Sequence, residues 1–463
     1  MSRIPLILLV LLLVAGCNRA AYVRSDPPVP AAWPEAAKKA AKAEERPPHA
    51  VSWRDYFVDA ELRKLIAVAL ENNRDLRLAT ARVAEARAQY GVSLADKLPT
   101  VNLGATSANS RVGGSLASSR ATDIRRVDLN LSMLSFELDF WGRVASLNDA
   151  ARATYLATEE GQRAARLSLI SEVANAYFTL LEAGERLDLS RATVASWEQT
   201  VEIMASGRAH GAATRLDQLQ VESTLASSRV ELANLERLHA AALNNLNLLL
   251  GAAQGKPAIG KALRLQQTGV RIAAGLPADT LMRRPDIIAA EQRLIAAHAN
   301  IAVARAAFFP RISLTAGLGL ASPALAGLFN TTSQNWNFSP SLSLPIFDSG
   351  RVEGNLDVAV ARRDLALADY EKTIQQAFRE VSDLLAAQAA YTEQRRANEE
   401  LASAREERVQ VIRARFRAGL GNMLDVLDAT RAYHDSQQQL LQVQRAQLVS
   451  AAQLFKALGG SDS

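Results

Sequence analysis

The sequence predicts a mostly α-helical chain with a small β part, arranged as two tandem repeats of the order helix, β-hairpin, long helix, helix. Three observations carry this reading. Proline is absent between Pro99 and Pro257 and again after Pro345, which leaves two stretches where long helices can run. Four segments of about ten residues alternate apolar and polar side chains with period two. The chain also aligns on itself. A shift of 211 pairs Asp75 with Asp286, Arg82 with Arg293, Ala88 with Ala299 and Pro99 with Pro310. Further on, a shift of 208 pairs Gly142-Arg143-Val144 with Gly350-Arg351-Val352, Gly211 with Gly419, Leu216-Asp217 with Leu424-Asp425, and Leu250-Gly251 with Leu458-Gly459. Because the offset changes once, between residues 104 and 136, that stretch is expected to carry a loop and the rest to be rigid repeat.

The chain opens with Arg3, an apolar run over 4–15, and Val14-Ala15-Gly16-Cys17, which holds its single cysteine. The run is too short to span a bilayer, small residues precede the cleavage point, and a lone thiol cannot pair internally. Residues 1–16 therefore read as a lipoprotein signal and Cys17 as the lipidation site, carrying diacylglycerol and N-palmitoyl. Several acyl chains make a firm anchor where one is marginal. Asn18 follows Cys17 where an inner-membrane retention signal has Asp, which favours the outer membrane. Residues 17–50, with Pro27, Pro28, Pro30, Pro34, Pro47 and Pro48 among Ala and Lys, read as an extended tether.

Repeat 1 is placed at 51–256, with strands at about 99–110 and 125–138. A linker covers 257–275. Repeat 2 is placed at 276–460, with strands at about 310–321 and 334–345, and 461–463 form a tail. Val127, Leu129, Leu131 and Met133 alternate with Asp128, Asn130 and Ser132; Ile312, Leu314, Ala316, Leu318 and Leu320 alternate with Ser313, Thr315, Gly317 and Gly319. Ten residues match a membrane-spanning strand, although alternation alone is equally compatible with a soluble sandwich. Four strands cannot close a barrel and open edges are not tolerated in lipid, so a membrane reading requires several chains to share one barrel. From Gly142 a helix can run to about Gly207, and from Gly350 to about Ala414, roughly 100 Å each at 1.5 Å per residue. Glycines at 207, 211, 419 and 421 mark the turns into shorter returning helices.

Composition fits long packed helices: 49% of the 463 residues are apolar, yet only 5% are aromatic. The net charge of +5 is interspersed with acids, without the basic stripe of a nucleic-acid binder. The five histidines, His49, His210, His239, His298 and His434, have no metal-binding spacing. Gly251 to Lys256 has three residues between its glycines and ends in Pro257, so it is not a phosphate loop; a helix C-cap and linker is the reading. No Ser-His-acid set is present in the pattern, and no enzyme is expected. No cofactor is expected beyond the covalent lipid.

Asp425 and Asp428, at i and i+3 in Gly419-Leu420-Gly421-Asn422-Met423-Leu424-Asp425-Val426-Leu427-Asp428, share one helix face. By themselves they are as well explained by a helix dipole or a solvated face.

Three motifs carry a family resemblance: Leu276-Pro277-Ala278-Asp279 through Arg283-Arg284-Pro285-Asp286 to Phe308-Phe309-Pro310; Glu137-Leu138-Asp139-Phe140-Trp141-Gly142-Arg143; and Lys456-Ala457-Leu458-Gly459-Gly460. With the duplication and the lipid signal, they resemble the TolC-like outer-membrane factors over essentially the whole mature chain. The nearest branch is the NodT-type efflux lipoproteins of resistance-nodulation-division tripartite pumps. The resemblance implies a homotrimer whose strands form one 12-stranded barrel in the outer membrane, continued by a periplasmic helical barrel. It implies a periplasmic adaptor and an inner-membrane transporter as partners, and solutes such as drugs as cargo. It also implies a periplasmic constriction at Leu424, Asp425 and Asp428, with a divalent cation held by the two carboxylates in the closed state. Phe416 stands where relatives often have Tyr, and Gly421 where they often have a polar residue; Arg431 could take over part of that lock, and Asp217 is the repeat-1 counterpart of Asp425. A pore-free, lipid-anchored coiled-coil spacer and a protein-secretion duct are the alternatives.

Overall fold

The computed structural model describes residues 22–24, 28–30, 33, 51–113, 122–251, 260–267, 269 and 278–461. The signal segment, Cys17, most of the tether and residues 252–259 lie outside them. In chain order come α1 (Trp53–Tyr56), α2 (Ala60–Asn72), α3 (Arg74–Ala95), β1 (Val101–Val112), β2 (Thr122–Glu137), α4 (Arg143–Ala209) and α5 (Arg215–Leu250). Then follow α6 (Pro285–Ala306), β3 (Arg311–Ser322), β4 (Gln334–Ser343), α7 (Arg351–Arg417) and α8 (Met423–Ala457). The order helix, two strands, long helix, returning helix occurs twice, and both long helices have 67 residues. Glycines at equivalent positions take the left-handed conformation: Gly142 and Gly350, Gly211 and Gly419, Gly251 and Gly459. Among the described residues no helix is long and apolar enough to cross a membrane. The chain divides into two compact units.

The first unit (Met1–Asp26, Arg82–Glu159, Ala289–Tyr370) holds one antiparallel sheet in the order β1-β2-β3-β4. Its register lines side chains into rows across all four strands. Leu103, Leu131, Leu318 and Trp336 form one row, and Val101, Met133, Ala316 and Phe338 the next. The alternate rows are polar and small: Gly104, Asn130, Gly319, Asn335, and Asn102, Ser132, Gly317, Asn337. A Cβ on Gly319 would lie 2.5 Å from the Leu129 carbonyl oxygen, so this glycine serves a close backbone approach. Among the described residues no second layer covers the apolar rows: Leu318 is 64% exposed and Trp336 77%. A soluble sandwich would bury that face against a second sheet, and a single four-stranded sheet gives it none. β1 and β4 each pair on one side only.

Between Met133 and Phe136 the register shifts by a bulge, with Ser135 at φ 50° and its N–H donating to Thr315 Oγ1 at 3.2 Å. The extra residue reverses the alternation, so Phe136 faces with Leu314 on the apolar side and Glu137 with Ser313 on the polar side. Without it every side chain beyond Met133 would change face. The stretch 104–136 thus holds more than a loop, since β2 has 16 residues and β4 has 10.

At the base of the sheet two of the sequence motifs meet. Glu137 accepts from Nε and Nη2 of Arg143 at 2.7 Å each and pairs with Arg311 Nε at 2.7 Å. Trp141 stacks on Phe309 at 4.8 Å between centroids and donates its indole N–H to the Pro310 carbonyl at 2.7 Å. Asp139 accepts from the N–H groups of Val144 and Ala145 at the start of α4, and Asp348 from those of Gly350 and Val352 at the start of α7. Both long helices therefore begin with a carboxylate on their free amide ends.

The second unit (Pro27–Ala81, Glu160–Ile288, Glu371–Ser463) is helical. Its main core joins Trp53, Tyr56 and Phe57 of the first turn to Ile66, Ile170, Tyr177, Leu246, Leu250 and Phe455. Ser461 donates its N–H to the Val51 carbonyl at 3.0 Å, and Tyr56 its hydroxyl to the Ala451 carbonyl at 2.7 Å, fastening the two ends together. Trp33, within the segment read as a tether, is buried and stacks on Phe378 at 4.7 Å, so this residue packs on the helical unit. Gly251 caps α5 with φ 65°, as a C-cap should.

Arg284 of the Arg283-Arg284-Pro285-Asp286 motif is only 5% exposed. It donates to Asp286 through Nε at 3.0 Å and Nη2 at 2.8 Å, to Glu380 at 2.9 Å, and to the Ala457 carbonyl at 2.6 Å. Burial alone would raise the Asp286 pKa, but the Arg284 guanidinium outweighs it and holds it below the usual carboxylate range. The pair's stability is full above the unfolded carboxylate pKa of ~3.9 and is lost as pH falls through the lower folded value. Arg284→Met is expected to cost about 3–5 kcal/mol, because it strands two partly buried carboxylates and a buried carbonyl. Thermal melting at pH 7 and pH 4 measures this; an unchanged melting temperature would show that the cluster is incidental.

Candidate functional site

The turn that joins α7 to α8 is built by backbone capping. Gly419 has φ 71°, its N–H donates to the Phe416 carbonyl at 3.0 Å, and the Leu420 N–H donates to the Arg415 carbonyl at 2.9 Å. This Schellman pair closes α7, and the repeat-1 turn closes α4 the same way, with Gly211 to Arg208 at 3.1 Å and Ala212 to Gly207 at 2.8 Å. Gly211 and Gly419 are thus the residues that reverse the chain, while Gly207 lies in the last turn of α4. At Gly421 an added Cβ would meet Phe416 N at 3.5 Å, an ordinary contact, so a side chain fits there.

The returning helices start differently. At α5, Thr214 and Asp217 form a reciprocal capping box: the Thr214 N–H and hydroxyl donate to Asp217 Oδ2 at 2.9 and 2.6 Å, and the Asp217 N–H donates to Thr214 Oγ1 at 3.2 Å. Those bonds hold the Asp217 carboxyl below its ordinary pKa, the Thr214 side-chain bond contributing most. Asp217, a candidate for gate support, is therefore engaged in its own cap. At α8, Asn422 accepts from the Asp425 N–H at 2.8 Å, and the Asp425 carboxylate does not complete a box.

Beneath the turns lies a separate apolar cluster of Val194, Trp197, Met204, Val221, Leu225, Met423, Val426 and Leu427, with Phe416 and Ile412 packed against it. Met423, Val426 and Leu427 face inward, which leaves Leu424 and Leu420 outward at 56% and 71% exposure. Phe416 packs as an apolar side chain on that cluster. Asp428 is half-exposed and lies between two guanidiniums, Arg408 Nη2 of α7 at 3.3 Å and Arg431 Nη2 at 3.2 Å. The sequence pairs Asp428 with Arg431, its neighbour at i+3, and misses Arg408, which is 20 residues away across the turn. Arg405 and Arg415 also cross from α7, donating to the Ala432 and Leu420 carbonyls at 2.8 and 3.4 Å. Their spacing, with Arg408 between, puts three arginines on one side of α7, and that was the available signal. Among the described residues no group of three or more His, Cys, Asp or Glu could hold a metal within one chain.

Among the described residues, a single sheet with an exposed apolar face and two 67-residue helices, each followed by a returning helix, belong with channel-forming membrane proteins rather than with compact soluble domains. The outer membrane efflux protein family model matches residues 65–252 and again 276–460, and the chain belongs to that family. It is 40% identical to the outer membrane protein OprJ of Pseudomonas aeruginosa over 459 residues, 98% of this chain and 95% of that one. It is 41% identical to the toluene efflux pump outer membrane protein TtgF of Pseudomonas putida, over 96% of this chain and 94% of that one. The crystal structure of the open state of the Neisseria gonorrhoeae MtrE outer membrane channel superposes with a TM-score of 0.88 at 32% identity, covering 96% of this chain and 99% of that one. The chain is an outer-membrane efflux protein.

Proposed function

We propose that three copies of this protein join edge to edge, β4 of one to β1 of the next, into a 12-stranded barrel whose polar rows line a duct. The observation that carries the reading is the sheet itself: continuous apolar rows exposed on one face, small polar rows on the other, and one free edge at each side. Lipid accepts apolar faces but not free edges, and three-fold closure satisfies both demands. Lipid on Cys17 adds an anchor. The helices continue the duct into the periplasm, where an adaptor protein docks and an inner-membrane resistance-nodulation-division transporter supplies the solutes. The chain performs no reaction, and export is passive through it.

The mouth is formed by Leu424, Asp425 and Asp428 from each copy. Asp428 ties α8 to α7 through Arg408, with Arg431 in support, so its charge serves the closed geometry. Asp425, free of a capping box, supplies the charge that faces the pore and holds a divalent cation shared between copies. Opening is an outward shift of the returning helix that breaks the Arg408 pair. In planar bilayers the purified, lipidated protein is expected to give a small, cation-selective conductance blocked by divalent cations. Silence from folded, trimeric protein would overturn the duct and favour a pore-free periplasmic spacer.

A further inference from the structure

Within the second unit a chain of hydrogen bonds ties α8 to α4, and its polarity is fixed from both ends. Arg186 of α4 can only donate, and its Nε bonds Oε1 of Gln438 on α8. The Gln438 amide nitrogen therefore points the other way, to His434 Nε2 at 3.2 Å, which must accept. In a neutral ring the hydrogen then sits on Nδ1, 3.0 Å from Thr193 Oγ1 of α4, and Thr193 passes its own hydrogen to the Leu189 carbonyl at 2.9 Å. Gln438 is only 8% exposed, so bulk water offers its amide little in exchange.

A proton added to His434 Nε2 sets two donors face to face. If the Gln438 amide turns to accept it, the amide nitrogen meets Arg186 and that bond is lost; if the ring turns away, the bond to Thr193 goes instead. Either way protonation removes one of these two bonds between α8 and α4. The ring borders a cavity of about 500 Å³, lined also by Thr224, Ser228 and Trp197, through which water can deliver the proton. The charges around it are mixed: Arg186 and, one turn before it, Glu182 on α4, Glu231 on α5, and Arg431 and Asp435 on α8. From α7, Arg405 reaches the Ala432 carbonyl and Glu406 acts on the neighbouring Tyr433. Burial holds the imidazole below the ordinary histidine pKa, while Asp435 and Glu231 pull it up and Arg186 pushes it further down. A lowered value means that the tied form resists the proton. The tie is therefore complete above the free-imidazole pKa of ~6.5 and weakens as pH falls from there toward the lower folded value.

We propose that His434 is the pin of an acid-released latch that holds the returning helix α8 against α4. It lies about 9 Å along α8 from Asp428, so release loosens the helix that carries the mouth. That last step rests on the gating proposed above, whereas the latch itself does not. Amide hydrogen exchange of α8 peptides, read by mass spectrometry on the purified protein at pH 7.5 and pH 5.5 and corrected for the intrinsic rate, tests it. In the natural chain α8 should exchange about fivefold faster at the lower pH, the factor that one lost hydrogen bond is worth. His434→Phe should exchange equally at both. In Gln438→Glu the introduced carboxylate accepts from Arg186 and from the protonated ring together, so α8 should hold or gain protection in acid. The latch is overturned by a natural chain without an acid response, by a His434→Phe variant that keeps one, or by a Gln438→Glu variant, unchanged in circular dichroism, that loosens in acid as the natural chain does. In planar bilayers the open probability of the natural chain should rise at pH 5.5 and that of His434→Phe should not. Faster exchange without added opening would leave the latch standing and overturn α8 as the moving part of the gate.

Discussion

The Asp425→Asn, Asp428→Asn double variant is expected to leak: in planar bilayers its open probability should rise about tenfold to a hundredfold, and the block by divalent cations should disappear. Each Asp428 holds two half-exposed ion pairs, to Arg408 and Arg431. Exposed pairs contribute on the order of 0.5 kcal/mol each after solvent screening. Six pairs in the proposed assembly of three copies then total about 3 kcal/mol, and 1.4 kcal/mol is a factor of ten, which sets the scale of the effect. The single variants should separate the two carboxylates. Asp428→Asn should open the mouth yet keep divalent block, whereas Asp425→Asn should lose block and cation selectivity with open probability little changed. Identical behaviour of the two single variants would contradict this division of labour. Asp217→Asn is the matched control, since its carboxylate is engaged with Thr214 in the first-repeat cap. It should leave conductance and block untouched.

That control rests on a difference between the repeats that is partly legible in the sequence. The self-alignment pairs Asp217 with Asp425 and leaves Gln220 opposite Asp428, so the second repeat alone carries both acids. The N-cap residues decide the rest. Thr214 donates a hydroxyl hydrogen and accepts an amide one, so it closes a reciprocal box with Asp217; at the equivalent turn Asn422 only accepts from the Asp425 amide. One carboxylate is consumed by its own helix and its counterpart is not. Proline gaps likewise foretell the long helices, because a 67-residue helix cannot tolerate an interior proline. The β2 bulge is another matter. Met133, Leu134, Ser135 and Phe136 read as the end of an alternating run, and only pairing with Thr315 and Leu314 on the neighbouring strand shows that the phase restarts. The spacing of Arg405, Arg408 and Arg415 places Arg408 on one side of α7, but its pairing with Asp428, 20 residues off, is set by how α8 packs on α7 through Met423, Val426, Leu427 and Phe416. Arg284 offered no signal of its role, since beyond its near neighbour Asp286 this buried arginine draws on two distant segments, at Glu380 and at a carbonyl of the last helix.

Leu318→Arg should abolish insertion into the outer membrane while the helical part still folds. Leu318 sits in the row of Leu103, Leu131 and Trp336 and is 64% exposed, so in water the substitution removes little packing. In a bilayer the same position costs about 2–4 kcal/mol per copy near the midplane. In the proposed trimer that becomes roughly 6–12 kcal/mol, comparable to the whole stability of a typical domain. The penalty thus exists only if the row faces lipid. Asn335→Lys makes the contrast, one residue before Trp336 and in the row of Gly104, Asn130 and Gly319. In the proposed barrel the added charge would face the water-filled duct and change only its conductance. Membrane fractionation and heat-resistant trimers on gels distinguish the faces: Leu318→Arg should be lost from both and Asn335→Lys retained in both. Equal retention would mean that the apolar row does not meet acyl chains. Equal loss would mean that the sheet tolerates no charge on either face, and neither result is compatible with a barrel lined by Asn130 and Asn335. The bulge enters the same test, because Phe136 shares the apolar face only through the extra residue at Ser135. Deleting Ser135 would turn Glu137 toward lipid and tear it from Arg143 and Arg311, so it should fail insertion as completely as Leu318→Arg.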